Sequence, residues 1–307
     1  MNRDLHFDYT TIGHVTIDVL DDGSRRAGGT AFYSALQAAR LGLRSRILTR
    51  GVRGEIEALL EPFRGELELT VLPAPHTTTL RTVGAGSERS QRVLAWAGPI
   101  AADVDLDTAI VHLAPVARET PGHWRTAPSG ARASRERTPV APREHTPFVG
   151  LTPQGLVRDW SGPGGQITQA PPAGAAAGAA TTIAARCDAI VINEHERASC
   201  AGIIEAARAG GATVAVTAGA GPITILAPGG EELELEVPPL ERPVDDLGAG
   251  DVFSAAFFVA VREGRSPLDA AAFANAAAAV RISGAGAAAI GGREQIQARL
   301  SRFGGRG

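Results

Sequence analysis

The stretch Val244 to Ala256, VDDLGAGDVFSAA, holds the residue types best suited to chemistry. Glycines at 248 and 250 let backbone amides approach a ligand without interference from a Cβ, and VFSAAFFVAV starts a helix directly afterwards. Unpaired amides at a helix N-terminus, reinforced by the helix dipole, can hold a phosphate or the charge that develops on a transferring phosphoryl group. Asp251, in the first turn of that helix, can accept a hydroxyl proton. The same spacing also fits an ordinary N-cap aspartate after a tight glycine turn, and spacing alone does not decide between the two.

The surrounding elements must bring other groups to this turn. Tyr9 to Val19 has the β-branched enrichment of a buried first strand and ends in the turn cluster Asp21, Asp22, Gly23, Ser24. Gly28 and Gly29 introduce a helix over Thr30 to Leu41, with Phe32, Ala35, Leu36 and Ala39 at helical spacing and Gly42 to end it. Arg46 to Thr49 resumes an apolar strand, and this strand, helix, strand order predicts a parallel sheet covered by helices. Residues 109–113, 148–151, 189–192 and 213–217 are short apolar runs of the kind that form buried central strands. Thr77 to Ala97 predicts two exposed strands joined by a turn. Leu268 to Val280 continues the helical text, and Pro171 to Ala180 is ambiguous between a frayed helix and a loop.

The 307 residues suffice for one large α/β domain or two small ones. With 44% hydrophobic and 21% charged residues, the composition excludes a wholly disordered, collagenous or membrane-embedded chain. A net charge of -3 gives no field to gather nucleic acid or an anionic membrane. Cys187 and Cys200 are too few for a disulfide framework and lack metal-ligand spacing. With no signal-like start, the expected location is the cytoplasm. Glu119 to Thr146 interleaves prolines and arginines with few large apolar residues, which predicts a flexible, solvated insertion.

Val244 to Ala256 resembles the DTxGAGD signature of the ribokinase-like (PfkB) carbohydrate kinase family: Asp245, Gly248, Ala249, Gly250 and Asp251 match, with Asp246 in place of threonine. Further features follow in family order. GHVTID resembles the strand whose terminal aspartate, here Asp18, binds substrate hydroxyls; Gly28 and Gly29 resemble the substrate-side Gly-Gly. Asn193 and Glu196 match NxxE, which in relatives acts through water on magnesium and phosphate. Thr217 and Gly219 resemble the start of TxGxxG on the nucleotide side, where Asn275 also falls. Ser283 to Gly286 sits where relatives place a loop near the base and often a monovalent cation. Singly, each of these also fits a cap or a turn.

The resemblance implies a three-layer α/β/α sandwich in one domain over residues 1–307, with a mostly parallel sheet and a small β-ribbon lid from segments near 18–28 and 77–97. It also implies transfer of the γ-phosphoryl group of ATP, with Mg²⁺ and K⁺ as companions, to a sugar, polyol or nucleoside hydroxyl, in a monomer or homodimer. Asp251 would be the base, with the amides of Ala249, Gly250 and Asp251 stabilising charge. Three departures stand out. Tyr33 occupies a substrate-contacting asparagine position, Pro222 replaces the last glycine of TxGxxG, and Asp246 adds like charge beside Asp245. They leave a catalytically weak or silent ligand-binding relative as the alternative, or a regulatory protein acting through the basic insertion.

Overall fold

The computed structural model describes residues 7–84, 90–100, 106–120, 146–240 and 242–304. In chain order the first half contains β1 (Phe7–Ile12), β2 (Thr16–Val19), β3 (Arg25–Gly28), α1 (Thr30–Arg40), β4 (Ser45–Gly51), α2 (Arg53–Leu60), β5 (Glu68–Pro73), β6 (Thr79–Val83), β7 (Ser90–Ala95) and β8 (Thr108–Leu113). The second half contains β9 (Phe148–Leu151), β10 (Arg158–Asp159), β11 (Thr168–Gln169), α3 (Ala175–Ala184), β12 (Ala189–Asn193), α4 (Ala201–Ala209), β13 (Thr213–Ala218), β14 (Gly221–Leu226), β15 (Glu232–Leu235), α5 (Ala249–Arg262), α6 (Pro267–Ile282) and α7 (Arg293–Gly304).

Nine strands form one sheet in the order β15-β14-β13-β12-β9-β8-β1-β4-β5. Every pairing from β13 to β5 is parallel, and the hairpin β14-β15 adds an antiparallel edge. Strands covered on both faces need apolar residues at successive positions, which explains their continuous apolar text. Tyr9, Ile110, Val191 and Ala215 pack towards α1, α5 and α6, while Val111, Leu113, Ile190 and Val214 pack towards α3 and α4. The result is the α/β/α sandwich expected from the sequence. Helix α5 is buried almost all round, from Val252 to Ala260, as suits a helix apolar on every face. The ambiguous stretch near residue 171 becomes helical from Ala175, after Gly174 at φ 56°.

The expectation of one strand over Tyr9 to Val19 is corrected. The chain leaves the large sheet after Ile12 and enters a second, four-stranded sheet at Thr16. Gly13 makes the exit possible, because a Cβ there would overlap the carbonyl of Ala114. The exit is pinned by the amide of His14 on Glu119 Oε1 (2.9 Å) and the amide of Val15 on Thr49 Oγ1 (2.9 Å). The small sheet runs β3-β2-β6-β7, so the ribbon read over residues 77–97 is half of a larger layer that also includes β2 and β3. Leu80, Val93, Val116 and Ala117 form a separate core beneath it. Trp96 and Trp160 meet there edge to face at 6.0 Å.

Residues 121–145 of the arginine-rich insertion and 85–89 of the ribbon lie outside the described residues. Glu119, read as the insertion's first residue, is instead buried. Its carboxylate accepts from the amides of His14, Val116 and Ala117.

Candidate active site

Two helix N-termini meet at the site. Helix α1 starts after Gly29 (φ 91°) and α5 after Gly248 (φ 79°), both in backbone conformations that favour glycine. A Cβ on Gly29 would overlap the carbonyl of His14, and one on Gly248 would overlap the ring of Tyr33. The two first turns are tied together: Ser34 Oγ donates to the carbonyl of Asp251 at 3.0 Å, and the Thr30 hydroxyl bonds the Asp251 carboxylate. The amide of Ala249 is engaged, donating to the carbonyl of Asp246 at 3.2 Å. The amides of Gly250 and Asp251 are first-turn donors for which an α-helix supplies no internal partner, and the space around the Gly250 Cα is open.

Asp251 is a carboxyl group out of place by ordinary standards. Removal from water raises its pKa to about 6, the negative charges of Glu196 and Asp18 add to the rise, and the Thr30 hydroxyl and the charge of Arg158 oppose it. Asp18, Arg158 and Glu196 thus lie close enough to act on the charge of Asp251. Asp18, on β2, is buried, accepts from Thr16 Oγ1 at 2.7 Å, and lies over Gly28, where a Cβ would overlap its carboxylate. The Gly-Gly pair therefore has two separate tasks. Gly28 makes room for Asp18, and Gly29 starts the helix that holds Asp251.

Tyr33, expected on the substrate side, lies near enough to Asp18 to feel its charge. It is 1% exposed, packs against Phe32 and forms the floor beneath Gly248; burial pushes its phenol up to about 12. Its task is to support the turn that presents Gly250 and Asp251.

On the donor side, Asn193 and Glu196 form a capping box. The amide of Glu196 donates to Asn193 Oδ1 (2.9 Å) and the amide of Asn193 to Glu196 Oε2 (3.3 Å). The second oxygen, Glu196 Oε1, is buried with no donor at close range, although the Gln154 side chain and the charge of Arg158 act on the carboxylate; burial raises this group's pKa. A buried carboxylate oxygen with no close donor suits a water on a hard cation, so these residues fit Mg²⁺ held mostly by water. Among the described residues no cluster of three His, Cys, Asp or Glu makes an all-protein metal site.

Asn193 and Thr217 are register partners at the carboxyl ends of β12 and β13, the edge where ligands bind open α/β sheets. Thr217 Oγ1 donates to the carbonyl of Ile192 (3.2 Å), and Gly219 follows at φ 63°. Pro222 lies opposite an irregularity between Val216 and Ala218, so its missing amide costs the sheet no ladder bond. Asn275 lines a cavity of about 190 Å³ with Leu235, Glu236, Pro238, Ala272, Ala276 and Arg299.

Asp245, six residues before Asp251, is saturated. Its Oδ2 accepts from Arg281 Nη2 (2.9 Å), Arg26 Nη1 (3.3 Å) and the amide of Gly286 (3.0 Å); its Oδ1 accepts from the amide of Leu247 (3.0 Å). Partial burial works against ionisation, yet these donors hold the carboxyl at about 2. The like charge feared beside Asp246 is thus already neutralised on the Asp245 side. The loop of Ser283 to Gly286, expected to lie beside K⁺, is tied to Asp245 by Arg281, so the residues present do not leave a cation site open.

Three contributors escaped the sequence reading: Thr30, Arg158 and Arg281. Arg158, on the two-residue strand β10, is buried and held by the carbonyl of Val116 and Gln91 Oε1, both at 2.9 Å. Nothing in its VRDW context marks it. Arg281 carries a faint signal, a lone arginine closing the alanine-rich run AAAAVRIS.

The fold is that of the ribokinase-family kinases. Residues 164–291 match the pfkB family carbohydrate kinase model, bearing out the resemblance read in the sequence. A pyrophosphate-dependent kinase of the ribokinase family, solved with a pyrophosphate analogue and myo-inositol, superposes with TM-score 0.68 at 22% identity, covering 94% of this chain and 99% of its own. The Methanocaldococcus jannaschii nucleoside kinase gives TM-score 0.69 at 16% identity (96% and 99%). Arabidopsis thaliana ribokinase, complexed with ribose and ATP, gives 0.65 at 18% (96% and 98%). No curated protein sequence matches the chain. No helix among the described residues is long and apolar enough to cross a membrane.

Proposed function

We propose that the chain is one kinase domain that transfers the γ-phosphoryl group of ATP to a hydroxyl of a sugar, polyol or nucleoside, with the small sheet as its lid. The observation that carries this reading is the position of Asp251. A carboxyl poised near neutrality feels the charge of a second carboxylate, Asp18, and sits at the unpaired amides of the α5 N-terminus. Asp18 orients the acceptor by taking a hydrogen bond from one of its hydroxyls. Asp251 takes the proton of the reacting hydroxyl as its oxygen bonds to the γ-phosphorus. The bond from that phosphorus to the bridging oxygen breaks, and its electron pair leaves with ADP. The amides of Gly250 and Asp251 and the guanidinium of Arg158 face the charge on the transferring group. Mg²⁺, when bound, would neutralise phosphate charge, and Glu196 would accept a hydrogen bond from one of its waters.

ATP is taken as the donor on the family resemblance, and pyrophosphate is the donor to set against it. The structural relatives act with ribose, nucleosides or myo-inositol, which frames the acceptor panel. The test is product release with ATP or pyrophosphate and Mg²⁺ across pentoses, hexoses, inositols and nucleosides, run beside Asp251→Asn. Turnover with one acceptor that collapses in Asp251→Asn is expected. Ligand-induced stabilisation with no turnover on any acceptor would instead identify a silent binder.

A further inference from the structure

Arg281 is the largest fully buried side chain of the described residues, and its surroundings are those of a metal ion more than of an ion pair. Its Nη1 donates to the carbonyls of Asp245 (3.1 Å) and Gly284 (3.0 Å), and its Nη2 to the carbonyl of Leu247 (2.7 Å) and Asp245 Oδ2 (2.9 Å). Three backbone carbonyls from two separate loops and one carboxylate converge on the guanidinium. Such an all-oxygen shell with a single negative charge is what a weakly hydrated monovalent cation would select. The C-terminal end of α6, which supplies Arg281, adds its own negative dipole to the cage. Arg26 already places a second guanidinium on Asp245, so a free cation added to the cage would meet two fixed positive charges and find its ligands taken.

We propose that Arg281 is a built-in monovalent cation, which holds the loop of residues 245–248 against the loop of residues 283–286 and makes the protein independent of K⁺. The consequence reaches the candidate active site through the backbone. The carbonyls of Asp245 and Leu247 are the ones Arg281 grips, and the next residue, Gly248, begins the turn that presents Gly250 and Asp251. Tyr33 lies between the two, its ring beneath Gly248 and 5.7 Å from the Arg281 guanidinium. A side chain cannot dissociate, so the turn keeps its shape whatever the salt.

The test is thermal and does not depend on the kinase reading. Melting temperatures of the wild type are compared in KCl, NaCl and choline chloride at matched ionic strength, and the three values are expected to coincide. Arg281→Ala opens the cage: its melting temperature should fall by about 10 °C in choline chloride, and several degrees of that loss should return in KCl but not in further choline chloride. Arg281→Lys, which keeps a charge in the cage, should remain indifferent to K⁺ and serves if the alanine variant does not fold. A K⁺-specific rise in the wild type would overturn the proposal. An Arg281→Ala protein that folds yet ignores K⁺ would show that the oxygens do not form a cation cage, and would overturn it equally.

Discussion

Asp245 and Asp251 stand six residues apart on one loop and have opposite fates. Asp245 collects two guanidiniums and two amides and holds its carboxyl at about 2; Asp251, deeply desolvated, has the Thr30 hydroxyl and the more distant charge of Arg158 against two negative neighbours and rises to about 6. Burial raises the pKa of both groups and does so far more at Asp251, while at Asp245 the donors outweigh it. The lesson is that the chain separates anchoring from chemistry by its supply of donors. In the proposed mechanism one carboxylate is fixed as a permanent charge so that the other can sit at the start of a well-placed helix and exchange a proton.

The largest effect expected from breaking this contrast is on turnover. Asp251→Asn should lower kcat by about 10²- to 10⁴-fold, measured as ADP release with the best acceptor, because the amide cannot take the proton. Asp245→Asn should act on stability instead, costing about 3 kcal/mol in denaturant unfolding, since it removes the charge that compensates a fully buried Arg281. Next comes Gly248→Ala, which forces a side chain into a left-handed backbone position and against Tyr33. A loss of about 2 kcal/mol should be visible as a lower melting temperature.

The pH dependence sharpens the comparison further. Activity needs Asp251 ionised, so kcat/KM should rise with pH through about 6 and then level off. In stability the signs oppose. The folded state keeps the Asp251 proton to a higher pH than the unfolded chain, so this group's contribution falls as pH rises from about 4 to about 6. At pH 7 Asp251→Asn should therefore melt a few degrees above the wild type while being inactive. Asp245 stabilises at every pH above the ordinary aspartate range, and its contribution disappears only as pH falls through about 2. The smallest effect belongs to Thr30→Val, which removes the donor opposing the rise at Asp251; the inflection in kcat/KM should move to higher pH with little change in the plateau.

Much of this arrangement was legible in the residues. The buried strands over 109–113, 148–151, 189–192 and 213–217 are local apolar runs, and a run is enough when both sheet faces are covered. The turn at Gly248 to Asp251 was legible because its glycines and its carboxylate are adjacent in sequence. The break after Ile12 was not, since Tyr9 to Val19 keeps its β-branched text across the change of sheet, and what ends the strand is a carbonyl a hundred residues away at Ala114. The close approach of Gly248 to the Tyr33 ring was not legible either, since it joins residues from opposite ends of the chain. Arg158 and Arg281 act through backbone carbonyls, which leave no trace in residue type.

The chain's departure at Gly13 also sets a mechanical scale. Asp18 rides on the small sheet and Asp251 on the large body, and the covalent path between the two sheets here is Gly13, His14 and Val15. Asp18 lies three residues beyond that joint, an arm of about 10 Å, so a rotation of about 10° displaces its carboxylate by about 2 Å. A hydrogen bond tolerates a few tenths of an ångström. In the proposed mechanism a short lever would let a small pivot engage or release the acceptor, with no need for the two sheets to swing widely apart.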